Sequence, residues 1–404
     1  MKFLQVATFS WPDHYGGAER VIGELCARLA ARGHEVDLLT SRLEGLPATE
    51  QRDGVNVHRY EVDRSSPTRF YRSVFSGLRR MLKDPALRSA DVVHCHQLLS
   101  GVAALAPGGV GRLPTVFSFY APYHAEFLAG RSDGREQGEV GLADRAVSSL
   151  LRSGDRYLLR RADRVLVLSS YSRAQIEQLH PAALPRTELA PPGVDTERFR
   201  PARDAAERTD AAVSFGLPVD GAPIILSVRR LVPRMGLADL LEAARLLTAR
   251  GRAFHLALAG DGPSRQSLQQ QIADAQLADR VTLLGRVDDE RLPELYRAAD
   301  VFALPTRSLE GFGMATAEAL ASGLPVVATD AGANAELLSG LGGSKLVRPE
   351  DPADLAEALD ALLIDAAPRA DAGRAARARA EQRLDWEPHV AAVLHAAREA
   401  AAGR

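Results

Sequence analysis

Short apolar runs recur along the chain, and the segments between them carry apolar residues at helical spacing. In the first half these runs fall at residues 3–9, 35–40, 55–60, 91–95, 115–119, 164–168 and 187–190, with helical patterns between most of them, as at 18–31 and 157–161. The second half repeats the alternation at 223–228, 253–259, 281–284, 301–304 and 325–328. Short apolar strands alternating with amphipathic helices predict parallel sheets covered on both faces. The polar stretch 201–220 separates the two series and reads as the junction between domains. An Ala/Arg tract at 366–380 consists of good helix formers and is not a linker. The pattern predicts an α/β protein of two Rossmann-like, doubly wound domains, 1–200 and 201–384. Ligands of such sheets bind beyond the carboxyl ends of the strands, so two facing domains predict one interdomain cleft.

Composition narrows this picture. At 404 residues the chain is too long for one compact core and suits two. An apolar fraction of 46% supports real cores rather than disorder. The net charge is −2, and no basic tract suggests nucleic-acid binding. No apolar run approaches the ~20 residues of a membrane span. The N-terminus enters a strand directly, with no signal-peptide pattern, and only Cys26 and Cys95 are present. Both features point to a reducing, cytoplasmic setting. Lysine occurs only at 2, 83 and 345, so arginine carries nearly all the positive charge.

The densest chemistry lies in Leu304–Leu320, LPTRSLEGFGMATAEAL. An apolar strand stops at Pro305, a glycine-containing turn follows, and a helix is expected from about Gly313 to Ser322. Such a turn lets the first helical N–H groups meet an anion, which the helix dipole also favours. Glu310 in the turn and Glu318 on the helix flank that point and can hold different hydroxyls of one ligand. Phosphate between and hydroxyls on either side fit a sugar nucleotide. An ordinary strand-turn-helix with two solvated glutamates fits the same residues.

This segment, with the helix-to-strand exit ASGLPVVAT at 321–329, resembles the signature of the retaining glycosyltransferases of family 4, which have the GT-B fold. The resemblance implies that Glu310 contacts donor-sugar hydroxyls, that Glu318 contacts the ribose, and that Gly311, Phe312, Gly313 and Met314 form the turn on the donor phosphates. Trp11–Arg20, with the Gly16-Gly17 pair after the first strand, resembles the family's N-terminal donor loop when taken with ARGHEV at 31–36. On the residues alone a plain strand-to-helix turn is as good a reading. AGDGP at 259–263 resembles a turn that helps shape the donor site, and LGRV at 284–287 a base-binding stretch through Arg286 and Val287.

SVRRLVPRMG at 227–236 resembles the family's Gly-Arg-Leu, three residues, Lys-Gly pattern. Arg230 holds the arginine position and suits a departing diphosphate, because a guanidinium binds phosphate oxygens bidentately. Met235 stands where the pattern has lysine, so one phosphate cation is missing from its usual place. The neighbouring Arg234 is a candidate to compensate. A second departure lies in TVFSFYAPYHAEF at 115–127, where Tyr120 aligns with a histidine of the family. Tyrosine is a poor base at neutral pH. His124 is the candidate replacement, and Tyr120 serves equally well as the wall of a sugar pocket.

Other constellations read more blandly. His94 and His96 share one face of a strand, which fits packing or acceptor contact better than a metal site. Asp288-Asp289 reads as helix capping. The amphipathic segment 69–88, with arginines opposite Phe70, Val74, Phe75 and Leu78, reads as a core-facing helix, with contact to a lipid headgroup or anionic acceptor as the sharper alternative. The glycine-dotted stretch 130–141 is expected to form a mobile loop on the acceptor side. LDWE at 384–387 and the residues after it resemble the family's last helix, which packs back on the first domain.

The reading is therefore a retaining transferase that moves a sugar from a nucleotide-diphosphate donor to a small or glycan acceptor by frontside attack. Arg230 and Glu310 would act in catalysis, with no metal or other cofactor. A monomer or homodimer without nucleic-acid partners is expected, with peripheral membrane contact as an option. Met235 and Tyr120 keep open a non-catalytic sugar-nucleotide-binding subunit, and a GT-B epimerase or hydrolase is the further alternative.

Overall fold

The computed structural model of the protein describes residues 1–13, 16–132 and 141–403. The chain forms two compact units, one built on Met1–Leu128, residues 141–192 and the helix Glu387–Ala402, the other on Gly193–Trp386. Each contains one parallel sheet with helices on its faces.

The first unit's sheet has eight strands in the order Thr49–Arg52, Val55–Tyr60, Glu35–Ser41, Lys2–Val6, Val92–Cys95, Thr115–Phe119, Arg164–Val167 and Thr187–Leu189. Every neighbouring pair is parallel except the first, which is antiparallel. Central strands here must be apolar on both sides, because each side meets helices. In Lys2–Val6, Leu4 and Val6 join one buried cluster while Phe3 joins the opposite one. Burying each such side chain stabilises by roughly 1.5–3 kcal/mol. The helix Glu387–Ala402 returns Val390, Val393, Ala396, Ala397 and Ala400 to the Phe3 side. That spacing forms one helical stripe.

The second unit's sheet has six parallel strands in the order Val281–Gly285, His255–Ala259, Ile224–Val228, Val301–Leu304, Val326–Thr329 and Lys345–Val347. Numbered along the chain this is 3-2-1-4-5-6, the doubly wound order whose chain direction reverses between Ile224–Val228 and Val301–Leu304.

Several expectations change. The stretch 201–220 is no junction: it holds the helix Ala205–Ser214, capped by the Asp204 side chain on Glu207 N, and lies within the second unit. Its polarity belongs to the outer face of a short helix with Ala211 and Ala212 buried. The helix expected at 157–161 runs Leu142–Arg161, its pattern obscured by the exposed Leu142 and Leu150. Edge strands Thr49–Arg52 and Lys345–Val347 escaped notice because an edge has little apolar area to bury. Asp288-Asp289 does not cap with its side chains, since Asp289 is buried and takes Arg198 Nη2 at 2.6 Å. The segment 69–88 overlaps the helix Pro67–Met81, whose Val74 and Leu78 enter the core with Phe70, Phe75 and Met81 against it. In the stretch 130–141, residues up to 132 close the helix Tyr123–Ser132, while 133–140 lie outside the described residues, as do His14 and Tyr15 of the N-terminal loop. Among the described residues no helix is long and apolar enough to cross a membrane.

Candidate donor and acceptor sites

In the second unit, two loops leave the sheet at its switch point. One follows Val228 and carries Arg229 to Gly236; the other follows Leu304 and carries Pro305 to Gly313. Backbone laces them together, with Arg307 N donating to Arg234 O at 2.9 Å. Gly236 adopts φ +70°, and a Cβ there would lie 1.8 Å from Pro305 O, so no larger residue lets the loops approach. On the other side, Ala333 N donates to Glu310 O at 2.9 Å. Leu309 is held at φ +60°, a costly conformation for a branched residue, directly before Glu310.

Four side chains converge inside this frame. Arg229 Nη2 donates to Glu310 Oε2 at 2.7 Å and to Met235 Sδ at 2.9 Å, and Arg229 Nη1 donates to Thr306 Oγ1. Thr306 Oγ1 donates in turn to Glu310 Oε2 at 3.1 Å. The ion pair is largely shielded, with side-chain exposures of 6% for Arg229 and 16% for Glu310. Arg230 is exposed beside it. Arg234 is buried and reaches the carbonyls of Ser308 and Leu309 at 3.4 and 3.5 Å, long contacts that tie it to the turn. AGDGP braces the same segment, since a Cβ on Gly260 or Gly262 would strike Arg229 O or Leu231 O at 1.7 and 2.4 Å.

The helix after the second loop is Met314–Ala321, with Gly313 as its N-cap at φ +94° and no side-chain cap. Gly313 and Met314 are buried, with Phe312 beside them and Gly311 half-buried. Asn334 Oδ1 and Thr316 Oγ1, both buried and unpartnered among the described residues, lie 3.4 Å from where a Gly313 Cβ would stand. Glu318 is buried at 4% exposure, and Tyr296 donates its hydroxyl to Glu318 Oε2 at 2.9 Å. Arg286, exposed, and Val287, half-buried, follow the strand Val281–Gly285.

In the first unit the helix Gly17–Ala31 opens at Gly16, whose backbone is extended. Glu19 folds back so that a Cβ on Gly16 would meet its carboxylate at 2.1 Å. Gln97 Nε2 donates to that carboxylate at 3.1 Å, so the position a phosphate would take at this turn holds a protein carboxylate.

Tyr120, just past Thr115–Phe119, has its hydroxyl 2.8 Å from His96 Nδ1, and His96 Nε2 lies 2.6 Å from Gln5 Oε1. Burial holds His96 neutral, with its pKa well below the ordinary imidazole value. A neutral ring has one N–H, and the Gln5 oxygen only accepts, so Nε2 carries the proton and Nδ1 accepts from Tyr120. Burial likewise pushes the Tyr120 hydroxyl well above its usual pKa, which makes it a donor committed to His96. His94 Nε2 is 2.9 Å from Ser118 Oγ. His124, on the helix Tyr123–Ser132, sets Nδ1 2.9 Å from Asp155 Oδ2 of the helix Leu142–Arg161. A carboxylate there accepts from Nδ1 and fixes the orientation of the ring. Burial raises the Asp155 pKa against the lowering effect of the His124 hydrogen bond.

Sequence reasoning singled out Arg230, Arg234, Met235, Glu310 and Glu318 but missed Arg229, Thr306 and Tyr296 around them, and Asp155 behind His124. Arg229 had one available signal, an arginine where the resembled pattern has glycine.

Residues 212–379 match the family model described as glycosyl transferases group 1, and residues 15–198 match glycosyltransferase family 4. A D-inositol 3-phosphate glycosyltransferase of Nocardia farcinica is 32% identical over 368 residues, covering 87% of this chain and 77% of that one. A GDP-mannose-dependent alpha-(1-6)-phosphatidylinositol monomannoside mannosyltransferase of Mycobacterium tuberculosis is 29% identical over 397 residues, 96% of each chain. Among solved structures, a sucrose-phosphate synthase from Thermosynechococcus elongatus shares the fold with a TM-score of 0.82 at 23% identity over the full length of both chains.

Proposed function

Starting from the chain's membership of glycosyltransferase family 4, with the GT-B fold, we propose that it transfers a sugar from a nucleoside diphosphate to a small-molecule or glycan acceptor with retention of anomeric configuration. The observation that carries this reading is the Glu310 carboxylate, held by Arg229 and Thr306 at the switch point of the second sheet. Carboxylate, cation and a helix start without a side-chain cap match the hydroxyls and phosphates of a sugar nucleotide.

In this reading Glu310 orients the donor sugar and Glu318 holds the ribose. Arg230 and the N–H groups from Gly311 to Met314 stabilise the diphosphate as charge develops on it. Arg234 and Met235 shape the floor of that subsite, and Arg286 and Val287 meet the base. The acceptor hydroxyl attacks the anomeric carbon on the face the diphosphate leaves. Its proton passes to the departing phosphate oxygen, so no protein base is required. Tyr120 and His124 are assigned to holding the acceptor. Charge stabilisation is assigned to arginine and backbone N–H groups rather than to a metal ion.

One relative is named for D-inositol 3-phosphate and another for phosphatidylinositol monomannoside, so phosphorylated polyols head the acceptor panel. The test incubates the protein with UDP-, GDP-, ADP- and dTDP-sugars and such acceptors, with and without EDTA, and reads product mass and anomeric coupling by NMR. A retained product, undiminished by EDTA and lost in Glu310→Ala, is expected. Donor bound but never turned over, or consumed equally without acceptor, overturns the transferase reading, and an inverted product overturns retention.

A further inference from the structure

The structure assigns to Arg229 the cation that the resembled pattern carries on residue 235: we propose that it is the second positive charge of the donor's diphosphate subsite. This rests on the donor-site reading above and deepens it.

Methionine at 235 brings no charge, and its side chain is buried at 7% exposure. Its sulfur is not idle, because Arg229 Nη2 lies 2.9 Å from it. A lysine at 235 would follow the same path, with Sδ replaced by Cδ and the ammonium two bonds further on. Two bonds beyond an atom that touches Arg229 Nη2, that endpoint lies within a few ångströms of the guanidinium. Both cations cannot share that space without strong repulsion, since like charges a few ångströms apart in a shielded site repel by several kcal/mol. Arginine at 229 and methionine at 235 therefore read as one exchange: the charge stays in place while its attachment to the chain moves by six positions.

The guanidinium also keeps donor capacity in reserve. It offers five N–H groups, and its contacts use three, toward Thr306 Oγ1, Met235 Sδ and Glu310 Oε2. The thioether is a weak acceptor that a phosphate oxygen would outcompete. Arg229 Nε is buried with no partner among the described residues. A group 94% shielded from water that leaves a donor unused is set up to gain from an incoming anion. Arg234 is a poorer candidate, because its guanidinium is tied to the carbonyls of Ser308 and Leu309.

The experiment compares binding of UDP, GDP and ADP, and of the matching monophosphates, by calorimetry. Variants are Arg229→Gly, Met235→Lys and the double Arg229→Gly/Met235→Lys, each checked for folding by circular dichroism. Arg229→Gly is expected to weaken the preferred diphosphate at least tenfold and the matching monophosphate less than threefold. The double variant is expected to recover diphosphate affinity to within threefold of wild type. Because it keeps one cation beside Glu310, it decides the matter even if the single variant fails to fold. A folded Arg229→Gly that binds diphosphate like wild type overturns the proposal alone. So does a folded double variant tenfold or more weaker than wild type. Wild-type protein that binds none of the diphosphates overturns the donor-site reading, and this proposal with it.

Discussion

Truncating Glu310 to alanine removes one half of a shielded ion pair and leaves the other half in place. Arg229 keeps only Thr306 Oγ1 and a thioether as acceptors inside a pocket where its own exposure is 6%. Removing one partner of a fully buried pair costs about 3–5 kcal/mol. Water reaches the Glu310 side, which is 16% exposed, and Thr306 still accepts one N–H, so a lower figure is expected here. Glu310→Ala should therefore cost about 2–3 kcal/mol. Glu310→Gln keeps an oxygen facing Nη2 and exchanges a charge-assisted hydrogen bond for a neutral one, a loss of about 1 kcal/mol.

Urea unfolding can isolate this effect, because the chain has two tryptophans, one in each unit. In a Trp11→Phe background the buried Trp386 reports on the second unit alone. The alanine variant should unfold at lower urea than the glutamine variant, and both below wild type. Equal midpoints for all three would refute the ion pair as a stabilising contact. The comparison also separates folding from chemistry. Glu310→Gln stays largely folded yet lacks the charge assigned to the donor sugar, so full transfer activity in that variant would remove Glu310 from the mechanism.

Gly236→Ala forces φ +70° on a residue with a Cβ and drives it onto Pro305 O, so a loss of about 2 kcal/mol or more is expected in the same titration; a neutral substitution would mean that the turn does not rest on Pro305. Burial lowers His94 to about 3 and His389 to about 4, from 6.5. The unfolded chain then binds protons that the folded first unit refuses, so these groups' contribution is complete above pH 6.5 and is lost as pH falls through the window toward 4 and 3. The slope is about 1.4 kcal/mol per pH unit for each histidine, read from the melting temperature against pH, and His389→Gln should flatten it. A wild-type melting temperature independent of pH across that window contradicts the burial of both rings. Asp155→Asn frees the His124 ring, and loss of a charge-assisted hydrogen bond of about 1.5–3 kcal/mol predicts an acceptor KM raised about tenfold or more with diphosphate affinity unchanged; an unchanged KM would remove the pair from the acceptor site.

The strands of both sheets were legible because a strand buried on two faces is apolar nearly throughout, as Val301–Leu304 is throughout and Ile224–Val228 is but for Ser227. Elements that escaped are those the sheet does not surround. Thr49–Arg52 is an edge strand of polar residues, and Ala205–Ser214 buries only a pair of alanines. The turn around Glu310 was legible through its glycines, whose spacing reflects close backbone approach rather than side-chain chemistry. What approaches is not encoded nearby, since Gly236 meets Pro305 and Gly260 meets Arg229 across the sheet.

The same limit explains why Met235 looked like a deficit. A diphosphate needs positive charge at a point in space, and a linear pattern records only the position from which that charge usually comes. Position 229 directly follows the central strand, one residue before Arg230, and its side chain crosses to the loop after Val301–Leu304. The residue six positions later approaches the same point from the turn Pro233–Met235. Two attachment points then converge on one location, so a cation at either satisfies the electrostatics and a cation at both is penalised. An arginine that replaces glycine and a methionine that replaces lysine are each unfavourable to the pattern when taken singly. Taken together across the switch point they leave the charge of the site unchanged, which is why Glu310 can keep a carboxylate there.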